Sequence, residues 1–77
     1  MIEITRKEEI TNVTTEGGAP KRFKLRGEFY DVGGIFLQNG SKTHFAAHVP
    51  GIQGSQVEFH RKGTEWQIGP DTGWGHE

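Results

Sequence analysis

The sequence predicts an all-β fold, a small antiparallel barrel or curved sheet of five to six strands in the SH3-like or OB-like size class. Three observations predict it. Short segments of alternating apolar and polar residues recur between Arg22 and Ile68, and glycine-bearing turn pairs such as Asn39-Gly40 and Lys62-Gly63 separate them. The hydrophobic fraction is only 31%, so a modest core must depend heavily on its few large side chains, five Phe, two Trp and one Tyr. A chain of 77 residues has interior for one such core, which assigns residues 1–69 to a single β domain and 70–77 to a Gly-rich C-terminal tail.

Ile2, Ile4, Ile10 and Val13, set among threonines, favour strand over the first fifteen residues. Thr5-Arg6-Lys7-Glu8 also reads as a capping box opening a short helix; the strand reading is preferred. Thr15-Glu16-Gly17-Gly18-Ala19-Pro20 is a loop by composition. From Arg22 to Tyr30, Phe23, Leu25 and Phe29 alternate with Arg22, Lys24, Arg26 and Glu28, the pattern of one half-buried strand with Tyr30 as its more exposed ring. Asp31-Val32-Gly33-Gly34 ends that strand, and the glycine pair supplies a bulge or bend.

Asn39-Gly40 is the strongest short-range hairpin signal in the chain. In a type I′ register it joins 33–38 to 41–49, putting Phe36, Thr43, Phe45, Ala47 and Val49 on one face and Ile35, Leu37, Lys42, His44, Ala46 and His48 on the other. Apolar groups on both faces suit mid-sheet strands of a curved or closed sheet. Pro50 to Ser55 connects to a last hairpin, Gln56–Arg61 and Thr64–Ile68. A two-residue turn at Lys62-Gly63 pairs His60 with Glu65 and Phe59 with Trp66, sorting Val57, Phe59, Trp66 and Ile68 from Glu58, His60, Glu65 and Gln67. Lys62 fits the positive φ of that turn poorly, which leaves a longer bulged turn open.

Composition restricts function more than it indicates one. The formal net charge of −1 provides no overall field for nucleic acid or membrane, so any such preference is local. The absence of cysteine and of an apolar leader-like segment points to a reducing, cytoplasmic setting. Asp71-Thr72-Gly73 matches the aspartic-protease tripeptide but follows Pro70 without the apolar strand that should lead into it, and reads as a polar turn. Gly51-Ile52-Gln53-Gly54 has the G-x-x-G form of a KH-domain clamp, but lies between strands rather than helices. His44 and His48, with His60 or His76, could supply imidazoles to a metal; the plainer reading pairs His60 with Glu65 and leaves the others as half-exposed strand residues. No nucleophile elbow surrounds Ser41 or Ser55, and no phosphate loop is present. The expectation is therefore no catalytic set, no cofactor and no metal centre.

The informative local feature is the run Lys21, Arg22, Lys24 and Arg26 interleaved with Phe23 and followed by Tyr30, to which Trp74 in the Gly-Trp-Gly tail adds an anchor. These six residues, Lys21, Arg22, Lys24, Arg26, Tyr30 and Trp74, are the expected partner-binding set. The expected function is a non-catalytic intracellular protein-interaction module, a small adaptor or inhibitor of the kind that suits a phage or mobile-element accessory protein. The alternatives are a single-stranded nucleic-acid-binding barrel using residues 21–26, and a small histidine-dependent enzyme. Exposed sheet edges also allow a homodimer, and no membrane partner is expected.

Overall fold

The computed structural model describes residues 2–53 and 56–72. Its seven strands are β1 (Glu8–Glu16), β2 (Ala19–Leu25), β3 (Glu28–Asp31), β4 (Gly34–Gln38), β5 (His44–His48), β6 (Val57–Lys62) and β7 (Glu65–Pro70). They form one curled antiparallel sheet, a half-barrel, in the order β3-β2-β1-β7-β6-β5-β4. Two meanders, β1–β3 and β4–β7, are thus joined by the pairing of β1 with β7, which leaves β3 and β4 as edges. No helix among the described residues is long and apolar enough to cross a membrane.

The all-β expectation holds, but with seven strands rather than five to six, because two segments turn back where the pattern reads as continuous or looped. Leu25 pairs with Glu28 across Arg26-Gly27, whose φ values of 52° and 82° are those of a type I′ turn. Arginine disfavours that conformation, and the turn is braced by the Arg26 guanidinium gripping both carboxylate oxygens of Glu8. The Thr15–Pro20 segment is likewise a hairpin: Glu16 pairs with Ala19 across Gly17-Gly18, both at positive φ. The preference for strand near the N-terminus is met by β1, although Thr5-Arg6-Lys7 precedes it as irregular chain.

β1 turns the corner of the sheet. Its residues 8–10 pair with β7 and its residues 11–16 with β2, with a bulge after Thr11 where Asn12 takes φ 53°. The curl brings Phe23 of β2 against Phe59 of β6, ring centroids 5.2 Å apart, although β1 and β7 lie between their strands. Between β3 and β4, Val32 N–H donates to Lys21 O and Gly33 N–H to His48 O, so the connector ties the two halves together at one end. A Cβ at Gly33 would stand 3.2 Å from the His48 carbonyl oxygen, a close approach that favours glycine. The enclosed core contains Ile4, Ile10, Phe23, Leu25, Phe45, Ala47, Val49, Ile52, Val57, Phe59, Trp66 and Ile68.

Both predicted hairpins form, with shifted registers. In the last one Lys62 pairs with Glu65, His60 with Gln67 and Phe59 with Ile68, two residues from the expected pairing. The reason is local: Gly63, at φ 64°, takes the first central position of the turn, and Lys62 is spared a positive φ. A shift of two preserves the sorting of faces. At Asn39 the loop is longer than a type I′ turn, and Gln38 pairs with Phe45. The Asn39 side chain organises it, accepting from Thr43 N–H at 2.8 Å and His44 N–H at 3.1 Å, while Lys42 takes φ 55°. A register shift between Ile35 and Leu37 turns Phe36 away from the core, and β4 is an edge rather than a mid-sheet strand.

Candidate functional site

The basic strand is divided by its own pleat. Arg22 and Lys24 share the outer face of β2 with Phe29, which stands opposite Lys24 on β3. The Arg22 guanidinium lies 4.6 Å and the Lys24 ammonium 5.6 Å from the centre of the Phe29 ring. Lys21, two residues before Phe23 in β2, is exposed and stands apart from the Phe29 ring that Arg22 and Lys24 flank. Arg26 occupies the turn, bound to Glu8, whose carboxyl its hydrogen bond holds below the usual range.

The expected exposed ring is corrected. Tyr30 stands opposite Phe23 and stacks on it at 5.7 Å, half-buried at the core margin, while Phe29 is 48% exposed. The turn at Arg26-Gly27 resets the alternation and exchanges the two rings. Burial, and then the neighbouring Glu28 carboxylate, raises the Tyr30 phenol above its ordinary value. Trp74 and His76 lie outside the described residues.

Large exposed apolar side chains gather at the edges of the sheet. Among the described residues they are Phe29 on β3, and Ile35 and Phe36 on β4, with Phe36 at 58% exposure. β4 reads Gly-Ile-Phe-Leu-Gln and carries no charge, whereas β3 has Glu28 and Asp31. The exposed Arg22–Asp31 ion pair, at 3.6 Å, contributes little to stability.

A second cluster occupies the outer face of β5 and β6. His44 and His60 are direct cross-strand partners, with ring centroids 4.2 Å apart, and Glu58 lies two residues before His60 on the same face. Glu58 Oε1 accepts from His44 Nε2 at 3.1 Å and stands 3.6 Å from His60 Nε2. Its Oε2 accepts from the Thr72 amide and hydroxyl, each at 2.7 Å. The cross-strand neighbours of Glu58 are Ala46 and Gly69, and the stem of Lys7 packs over Gly69.

This cluster replaces the expected His60–Glu65 pair, since the two-residue register shift brings Gln67 opposite His60. Burial raises the Glu58 carboxyl, but the Thr72 amide and hydroxyl and His44 outweigh it and hold the group below its ordinary value. Burial, with the nearby charges of His44 and Lys7, pushes the His60 imidazole down. The ligand atoms of His44, Glu58 and His60 all lie within 4.8 Å of one another. His48, exposed farther along β5, is outside that group.

Comparison with family models, with curated proteins and with solved structures finds no match to this chain. Sequence reading missed Phe29 and Phe36 as exposed groups, and a turn assigned to Arg26-Gly27 would have found the first. It placed Glu58 and His60 on one face, but the arrival of His44 beside them depends on the β5–β6 pairing, which no local pattern carries.

Proposed function

We propose that the protein is a non-catalytic interaction module, a small adaptor or inhibitor that binds another protein along the open edges of its sheet. The observation that supports this reading is the placement of Phe29, Ile35 and Phe36: all three are large, exposed and apolar, and all three lie on edge strands. An edge strand offers unpaired N–H and C=O groups, and proteins commonly blunt such edges with charge. β4 has none. The interrupted register at Phe36 limits long strand addition and projects the ring instead, so Phe36 acts as the anchor and the backbone on either side supplies polar contacts.

The test is capture of a protein partner by the folded chain after nuclease treatment, followed by affinity measurements on variants. Phe36→Asp should weaken the complex at least about 30-fold, the effect of losing a hot spot worth about 2 kcal/mol. If Phe36→Asp and Phe29→Ala both retain full affinity, the edge surface is wrong.

A second reading, single-stranded nucleic-acid binding, draws on the cations that flank Phe29: the ring would stack on a base while Arg22 and Lys24 hold phosphates. It requires an affinity that falls steeply with salt and is lost in Arg22→Glu. A salt-independent complex removes it.

A further inference from the structure

We propose that His44, Glu58 and His60 form a binding site for a divalent transition-metal ion of the zinc class, with a remaining coordination position open to solvent. The donors are one carboxylate oxygen and two imidazole nitrogens, the set such an ion takes in three-ligand sites. Zinc bonds to nitrogen and carboxylate oxygen are about 2.0–2.2 Å long, which separates tetrahedral ligand atoms by about 3.3–3.5 Å. Glu58 Oε1 already stands 3.1 Å from His44 Nε2 and 3.6 Å from His60 Nε2. Small rotations of the two half-buried imidazoles complete the set, because all three ligand atoms are within 4.8 Å of one another.

The supporting contacts favour this arrangement. Glu58 is 1% exposed, yet its Oε2 is fixed by two hydrogen bonds from Thr72, so Oε1 is held toward the two imidazoles. All three ligands stand on adjacent central strands rather than on loops, which fixes their separation. The imidazole side chains are 22% and 26% exposed, so the site opens outward. On binding, the ion replaces the Nε2 proton, and each neutral imidazole carries its proton on Nδ1. A water or a donor from another molecule fills the open position. This site is independent of the edge surface proposed above.

The experiment is titration of the tag-free, metal-free chain with Zn2+ by calorimetry and with Co2+ by visible absorption. The wild type should bind one ion per chain, and Co2+ should give the intense d–d bands of a low-coordinate site. His60→Ala, at a half-exposed position, should weaken binding by at least about tenfold, and so should Thr72→Val, which removes a hydrogen bond to the carboxylate without touching a ligand. His48→Ala should bind as the wild type does. Circular dichroism checks that each variant folds. Failure to bind up to millimolar Zn2+, binding unchanged in His60→Ala, or an equal loss in His48→Ala would each overturn the site.

Discussion

Glu58 is the buried charged residue among those described, and its surroundings set how the protein responds to acid. Its carboxyl is held below the ordinary 4.5 even though burial opposes ionisation, because Thr72 and His44 donate to the charged form. His60, packed against His44 and Glu58 and near Lys7, is held below the ordinary 6.5, first by burial. In both cases the unfolded chain binds the proton more readily than the folded one. The stability these two groups contribute is therefore full above pH 6.5, falls as pH drops below 6.5 through the His60 window, and falls again below 4.5 as Glu58 is protonated. Urea unfolding of the metal-free protein across this range should show both declines. In Glu58→Gln the lower decline should shrink, and a profile unchanged in that variant would contradict the assignment.

At the scale of elements, the loop between β4 and β5 depends on one side chain. Asn39 accepts two backbone N–H bonds through Oδ1 and donates from Nδ2 to Thr43 Oγ1 at 2.9 Å. Asn39→Ala should cost about 1–2 kcal/mol, read as a lower urea midpoint with an unchanged slope. The Asn-Gly pair located this hairpin in the sequence, but the side-chain bonds decided its length. Strand positions and the inward face of the last hairpin were legible for the same reason, since alternation of Val57, Phe59, Trp66 and Ile68 survives a two-residue shift. What escaped local reading was conformation that costs the residue and is repaid at a distance. Arg26 at φ 52° is stabilised by Glu8, eighteen positions away, and without that turn Phe29 reads as core and Tyr30 as surface. The basic side of the candidate surface was visible; the ring it flanks was not.

For the whole molecule, the backbone ladder joins the two meanders through three residue pairs, Glu8–Ile68, Glu9–Gln67 and Ile10–Trp66. The interior provides a second link, because the edge-to-face contact of Phe23 and Phe59 spans the curl directly. Phe23→Ala should destabilise the fold by about 3–5 kcal/mol, enough to unfold much of a domain this small. A double-mutant cycle of Phe23→Leu and Phe59→Leu should show a coupling of about 0.5–1.5 kcal/mol; strict additivity would mean that the halves stand independently. The pairing of β1 with β7 also sets a sequence of events in time. As the chain emerges during synthesis, the β1–β2–β3 meander can assemble early, but Glu8, Glu9 and Ile10 have no ladder partner until Trp66, Gln67 and Ile68 arrive. Ile2 waits in the same way, since its bridge and hydrogen bonds are to Gly51, Ile52 and Gln53. Closing contacts of such long sequence separation slow folding, so the core faces of the first three strands are the nascent surface that most needs shielding on the ribosome.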